Sequence, residues 1–267
     1  MPAQLKWVIE DVHVENGDKE LAEAAKSAGH TVCWLTPLKD KLPDELESGA
    51  IFHGSIEKAT EIQAARKDIH IWLDPAKFLC SAYYPKVGKY LFNQDYVLLP
   101  VAELIRQKWT IYRWLAKDSK VFVRPDSGLK TFTGRVLDLQ DFDKFWINKV
   151  MCSASPESLV VITSPQDIQG EWRFVVSPTL GVIAGSTYLY QSNRTYIPSA
   201  PREASKLCED VLAAGLNLGP LFVLDVAQRL DGSFGLLEAN AFSTAALYAC
   251  DKTKIVKAVE QILDETT

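Results

Sequence analysis

Strand-like and helix-like segments alternate through the first 95 residues. Short runs of β-branched and aromatic residues, typical of strands, are separated by segments whose apolar residues recur at helical spacing. This alternation predicts a small parallel α/β domain over residues 1–95. The predicted strands are 6–12, 30–36, 49–55 and 69–74, and the predicted helices are 18–28 and 56–67.

Three of the predicted strands end in polar or small residues. These residues are Glu10, Gly54 with Ser55, and Asp74. Open α/β sheets bind ligands at the carboxyl ends of their strands, so each residue is a candidate ligand contact. Each is also compatible with an ordinary loop.

The pattern changes after residue 74. Residues 75–100 have no clear periodicity and contain three prolines, which favours a connector between domains. Residues 101–116 have an apolar stripe that includes Leu104, Trp109 and Tyr112, which predicts one helix packed on the core. The remaining predicted strands are 120–125, 158–164, 170–177 and 181–190, and the remaining predicted helices are 142–150, 201–215 and 244–264.

Two apolar runs within residues 221–240 flank Asp231-Gly232, a strong signal for a two-residue hairpin turn. Such a turn pairs Leu230 with Ser233 and, counting back, Asp225 with Glu238. Asn240 follows Glu238 by two residues and therefore shares its face of the strand.

Facing carboxylates in a ribbon this apolar need a cation or protons between them. Asp225, Glu238 and Asn240 offer hard oxygen ligands, which suit Mg²⁺ or Mn²⁺ better than zinc. The alternative is an exposed hairpin whose acidic side chains point into water.

A second candidate site follows the predicted strand that ends at Arg124-Pro125. Its loop, residues 127–134, contains two glycines, several hydroxyls and Lys130, so its backbone N–H groups could wrap a phosphate chain. It lacks the spacing of a Walker A loop, and a mobile surface hairpin is the alternative. Glu171 and Arg173 share one face of another strand, either as a surface ion pair or with Arg173 holding phosphate.

Composition narrows the chemistry. The net charge of −5 gives no basic field for nucleic acid or an anionic membrane, and no apolar run has the length of a membrane span. All four histidines lie in the first 70 residues, so the C-terminal two-thirds cannot by itself supply a Ser-His-Asp triad or a His-ligated zinc. Five scattered cysteines and no signal peptide predict reduced thiols and a cytoplasmic protein.

The order of these pieces resembles the ATP-grasp superfamily. The resemblance rests on the loop string VFVRPDSGLKTFTG, the E-W-R strand, and Asp225 followed by LLEANAFS. Most members carry Lys where this chain has Arg124, and a clade of bacterial and phage proteins carries this arginine. The resemblance implies an α/β (α+β) ATP-grasp fold over 96–267, with a lid-bearing part over 118–165 and a metal-binding part over 166–267, preceded by the 1–95 domain.

The resemblance also implies a function: an ATP-dependent carboxylate–amine ligase that forms an amide through an acyl phosphate. The cofactors would be ATP and Mg²⁺ or Mn²⁺, and the substrates an amino acid, a peptide or a protein tail. A phosphotransferase and a nucleotide-bound adaptor without catalysis are the alternatives. Tyr188, Tyr190, Ser243, Thr244 and Tyr248 could border the acceptor pocket or belong to the core.

The implied site residues fall into three sets. The metal ligands would be Asp225, Glu238 and Asn240, and the catalytic cations Arg124, Lys130 and Arg173. ATP would contact those three cations and a further set of residues: Thr133, Gly134, Val161, Ile162, Thr163, Ser164, Glu171 and Arg194.

Overall fold

The computed structural model describes residues 4–13, 17–35, 47–148 and 153–265. The first part is a three-stranded parallel sheet with β1 between β2 and β3, flanked by two helices. Its elements are β1 (Lys6–Glu10), α1 (Gly17–Ser27), β2 (Thr31–Leu35), β3 (Ile51–His53) and α2 (Ile56–Ala65). The predicted fourth strand at 69–74 is wrong, because only an isolated bridge joins His70 to Ile51.

The segment predicted to be a connector is mostly ordered structure. It contains α3 (Cys80–Val87), a short 3-10 turn (Gly88–Tyr90) and the strand β4 (Tyr96–Pro100). The buried residues of α3 are Cys80, Tyr83, Tyr84 and Val87. Their spacing is that of one helical face, so the sequence did contain a helix signal that Pro85 obscured.

The predicted single helix over 101–116 is two helices, α4 (Val101–Arg106) and α5 (Lys108–Leu115). The break at Gln107 rotates the second helix, so Ile111 and Tyr112 are buried while Trp109 is 67% exposed. The expectation that Trp109 packs in the core is therefore wrong.

A four-stranded antiparallel sheet in the order β4-β7-β5-β6 carries the predicted phosphate loop. The new elements are β5 (Lys120–Pro125), β6 (Arg135–Asp138), α6 (Phe142–Ile147) and β7 (Leu159–Thr163). The loop 127–134 joins β5 to β6, as predicted. The end of the predicted helix 142–150 lies outside the described residues.

A five-stranded antiparallel sheet in the order β10-β9-β8-β11-β12 completes the fold. Its strands β8, β9, β11 and β12 follow the predicted ones, and β10 is an edge strand that the sequence pattern did not indicate. The elements are β8 (Ile168–Ser177), β9 (Gly181–Tyr190), β10 (Asn193–Ile197), α7 (Arg202–Ala213), β11 (Phe222–Arg229), β12 (Phe234–Ala241) and α8 (Lys252–Asp264).

The β11–β12 hairpin reaches its predicted pairing by an unpredicted route. Its turn has three residues, not two: Arg229 pairs with Ser233, and Gly232 closes the loop at φ +87°. A β-bulge then inserts Leu237 opposite the step from Asp225 to Val226. The two offsets cancel, so Asp225 does face Glu238.

The mixed α/β fold class is confirmed. Apolar faces of the sheets and the helices form the core, with the largest buried side chains including Trp7, Phe52, Phe174 and Phe222. Cys33, Cys80, Cys208 and Cys250 are free thiols, and Cys152 lies outside the described residues. None of the helices in the described ranges has the length and apolarity that crossing a membrane requires.

Candidate active site

A cavity of about 330 Å³ lies between the four-stranded and five-stranded sheets. Its walls come from β5, β7, the 127–134 loop, β8, β9 and β12, together with the segment 84–93. Apolar side chains such as Phe122 and Leu236 form one part of the wall, and the charged residues Arg124, Lys130 and Glu238 form another. An apolar cavity with a few convergent charges is typical of a cofactor site.

Most of the sequence-predicted site residues line this cavity. These are Arg124, Lys130, Thr133, Gly134, Val161, Thr163, Glu171, Glu238 and Asn240. Val161 and Thr163 reach it because alternate residues of β7 point to the same face, which sends Ile162 into the core on the other side.

The other predicted residues lie elsewhere. Ser164 donates a hydrogen bond from its hydroxyl to the Leu115 carbonyl, and Arg194 is exposed on the edge strand β10. Ile162, Ser164 and Arg194 are therefore not among the cavity walls. Arg173 and Asp225 lie behind the wall and are almost fully buried.

Arg124 and Glu238 form an ion pair across the cavity floor. Arg124 Nη2 lies 3.0 Å from Glu238 Oε2, and Arg124 Nη1 donates to the Leu237 carbonyl at 3.2 Å. Burial opposes ionisation of Glu238, but the positive charges of Arg124 and Lys130 outweigh it and lower the pKa of Glu238 to about 2. Glu238 is thus a carboxylate at neutral pH, joined to the arginine near the end of β5.

Arg173 and Asp225 form a second, deeper pair. Strand register places them side by side on β8 and β11, and Arg173 donates from Nε and Nη2 to the two oxygens of Asp225 at 2.7 and 2.6 Å. Complete burial raises the pKa of Asp225 to about 6, although the guanidinium opposes the shift. The bidentate geometry leaves Asp225 ionised near pH 7.

Asn240 links the two pairs. Its Nδ2 donates to Asp225 Oδ2 at 3.2 Å and to Glu238 Oε1 at 2.9 Å. One point is therefore within hydrogen-bond distance of both carboxylates, and the amide group occupies it. Turning the amide would present Oδ1 there as a third oxygen. This donor set fits a hard cation such as Mg²⁺, provided that Asp225 shares an oxygen now held by Arg173.

The residues expected near an acceptor separate into two groups. Tyr188 lines the cavity, donates its hydroxyl proton to Glu171, and stacks on Tyr248 with ring centroids 4.9 Å apart. Thr244 lines a narrow gap between the 127–134 loop and the N-terminal domain. Ser243 is buried and accepts a hydrogen bond from the Trp72 backbone, and Tyr190 is partly exposed.

Sequence reasoning missed the cavity residues that precede β4. Tyr84, Leu91 and Asn93 line the cavity, and the Phe92 N–H donates to the Leu236 carbonyl of β12. The helical spacing of α3 was the available signal for Tyr84. Nothing in the sequence pattern marked Leu91 or Asn93, because a backbone contact to β12 brings them to the site.

Comparison with known proteins identifies the family. The matching family model describes an ATP-grasp domain, the third family of its clade, and it covers residues 52–259, so the chain belongs to that family. The predicted resemblance to the ATP-grasp superfamily is thereby confirmed. No curated protein matches the chain.

Solved structures share the fold over nearly the whole chain. D-cycloserine synthetase DcsG is 13% identical, with 98% of this chain and all of that chain covered and a TM-score of 0.67. D-alanyl-alanine synthetase A from Vibrio cholerae is 10% identical, with 100% and 99% covered and a TM-score of 0.60. The ATP-grasp ligase PsnB, complexed with minimal precursor, Mg and ADP, is 12% identical, with 97% and 98% covered and a TM-score of 0.55. The chain is thus an enzyme of the ATP-grasp ligase type, as predicted.

Proposed function

We propose, from membership of the ATP-grasp family, that this protein uses ATP to join a carboxylate to an amine through an acyl phosphate. The carboxylate or the amine would belong to an amino acid, a peptide or the tail of a protein. The observation that carries the proposal is the convergence of Arg124, Lys130, Glu238 and Asn240 on one cavity between two sheets. ATP-grasp structures that resemble this one include amino-acid and peptide ligases by their names, such as PsnB with its minimal precursor.

In this proposal the nucleotide lies in the cavity with its adenine against β7. Val161 and Thr163 give that wall its shape, and Phe122 adds an aromatic face. Arg124 and Lys130 neutralise the phosphate oxygens, and the 127–134 loop covers them and excludes water. Lys130 is exposed and adopts a left-handed φ of +54°, so the loop holds it in a conformation that few lysines adopt.

Glu238, Asn240 and Asp225 would hold Mg²⁺, which when bound offsets the negative charge of the nucleotide phosphates. Glu238 and Asn240 line the cavity, whereas Asp225 sits behind them. Arg173 already shares Asp225, so its guanidinium helps to keep the buried carboxylates ionised.

The chemistry then needs no nucleophile from the protein. A carboxylate oxygen of the substrate attacks the γ-phosphorus, the bond to the β-phosphate oxygen breaks, and ADP leaves. The amine nitrogen attacks the acyl carbon, phosphate leaves with the bonding electron pair, and the amine proton passes to solvent. Catalysis rests on positioning and on charge neutralisation.

The gap beside Thr244 supports an acceptor route between the lid loop and the N-terminal domain. It is lined by Ile56, Leu73 and Phe78 on one side, by Gly128 and Lys130 on the other, and by Asn240 at its base. The gap is nearly closed, at about 10 Å³, so the acceptor would enter when the loop moves.

The test is release of ADP from ATP and Mg²⁺ with a panel of amino acids and peptides, with mass spectrometry of the products. A ligase releases phosphate and yields a new amide only when a carboxylate and an amine are both present. A stable phosphorylated product would instead identify a phosphotransferase. Absence of turnover with every substrate, despite nucleotide binding, would point to a non-catalytic adaptor.

A further inference from the structure

A second cluster of ligand-type side chains lies in the N-terminal domain, away from the nucleotide cavity. His13 follows β1, Asp18 lies in the first turn of α1, and His53 ends β3. His13 Nδ1 is 2.8 Å from Asp18 Oδ1, and His53 Nδ1 is 3.4 Å from the same oxygen. One candidate ligand atom from each residue lies within 4.8 Å of the others.

His53 has no partner that explains its position. It is 0% exposed, and among the described residues neither of its ring nitrogens forms a hydrogen bond. Its ring packs edge-on against Phe242, with centroids 5.3 Å apart, and tilted against His13 at 5.1 Å. A buried imidazole left in this state costs free energy, typically about 1–3 kcal/mol.

Asp18 is held in place by the backbone. Its Oδ2 accepts hydrogen bonds from the N–H groups of Val12 and His13 at 2.9 and 2.7 Å. Its Oδ1 is thereby aimed at the two imidazoles. Burial opposes ionisation, but His13 and His53 outweigh it and keep the pKa of Asp18 well below its usual range. The carboxylate is charged, oriented and ready to accept a cation.

Two readings account for these contacts. In the first, Asp18 merely fastens the loop after β1 to the start of α1, which explains His13 but leaves His53 without a role. In the second, the three side chains surround an ion, and His53 supplies a ligand nitrogen. Burial lowers the pKa of His53, so the ring is neutral at pH 7 and has a lone pair to donate.

We propose that His13, Asp18 and His53 form a binding site for a divalent transition-metal ion. Zn²⁺ is the best chemical match, because two imidazole nitrogens and one carboxylate oxygen are a common zinc ligand set. Mg²⁺ prefers oxygen ligands only, so this site and the nucleotide site select different ions. The proposal is independent of the ligase activity.

The distances need little adjustment. Tetrahedral zinc with bonds of roughly 2.0–2.1 Å separates its ligand atoms by roughly 3.3 Å. The separation between His53 Nδ1 and Asp18 Oδ1, 3.4 Å, already agrees with this value. The separation between His13 Nδ1 and Asp18 Oδ1 would have to open by about half an ångström, which a half-buried residue outside the strand can do.

The experiment is a calorimetric titration of the full chain with ZnCl₂ alone, after chelator treatment and without nucleotide. We expect one ion per chain. His53→Gln and His13→Gln should each weaken binding at least tenfold, whereas His70→Gln, a histidine of the same domain outside the cluster, should bind as the parent does. His13 is at the surface edge of the cluster, so its variant tests the site even if His53→Gln does not fold.

A Co²⁺ titration identifies the ligands by spectrum. Nitrogen and oxygen ligands give weak d–d bands, while thiolates add strong charge-transfer absorption. The proposal is overturned if no metal binds, if a thiolate spectrum appears, or if both His variants bind as tightly as the parent. Displacement of zinc by excess Mg²⁺ would equally overturn it, since that outcome assigns the ion to the nucleotide site.

Discussion

In the nucleotide cleft, Asp225 and Glu238 face the guanidinium groups of Arg173 and Arg124, whereas in the N-terminal domain Asp18 faces two imidazoles. Arginine carries its charge at every physiological pH, so the cleft carboxylates are compensated permanently. Histidine is neutral when buried, so Asp18 depends more on backbone N–H groups. The cleft is therefore arranged to handle charge that comes and goes with a substrate, and the N-terminal cluster is arranged to accept a cation.

The two clusters also differ in access. Glu238 and Asn240 line a cavity large enough for part of a nucleotide, whereas the side chains of Asp18 and His53 are each 1% exposed and that of His13 is 13% exposed. A bound group can exchange through the first and would be retained by the second. Four changes test this contrast.

The largest expected effect is on stability, from Arg173→Met. Removing the guanidinium leaves Asp225 fully buried without its bidentate partner, which should lower the free energy of unfolding by about 3–5 kcal/mol in urea titrations. The double variant Arg173→Met with Asp225→Leu should recover much of the loss, because no buried charge remains. A single variant as stable as the parent would show that Asp225 does not depend on Arg173.

Glu238→Gln should separate chemistry from folding. We expect turnover of ATP to fall by about a hundredfold or more while the thermal unfolding temperature changes little, because the amide keeps the shape but loses the charge that Arg124 and a metal would share. Phosphate release measures the first, and calorimetry the second. Parent-like turnover would remove Glu238 from the metal site.

His13→Gln should be mild by comparison. Asp18 keeps the hydrogen bonds from the Val12 and His13 backbone, so in metal-free protein the variant should lose only about 1 kcal/mol of unfolding free energy. Its ATP turnover should stay within about twofold of the parent value, since a twofold change is only about 0.4 kcal/mol. A loss comparable with that of Arg173→Met would mean that the two clusters are electrostatically alike.

The smallest expected effect is in the acid range. The folded pKa of Glu238 is lowered from 4.5 to about 2, so its contribution to stability is complete above pH 4.5 and is lost as pH falls toward 2. The difference in unfolding free energy between the parent and Glu238→Gln should be constant from neutral pH down to about 4.5 and shrink below it. A difference that already shrinks between neutral pH and that point would contradict the lowered pKa.

The site could be predicted where one local pattern determined it. The loop 127–134, the strand β5 with Arg124, and the E-W-R strand were readable because turn residues and strand alternation act over a few residues. The facing of Asp225 and Glu238 was predicted from a two-residue turn, and it holds only because a three-residue turn and the bulge at Leu237 offset each other.

The amino-acid sequence by itself determined the strand order of the hairpin, the family and most of the residues around the cavity. Only the tertiary structure decided that Arg173 pairs with Asp225, that Leu91 and Asn93 reach the cavity, and that His53 meets Asp18. These contacts join residues that lie far apart in the chain, 52 positions in the case of Arg173 and Asp225. Periodicity reports which face a residue occupies, but the partner on the opposite face is fixed by how sheets and helices pack.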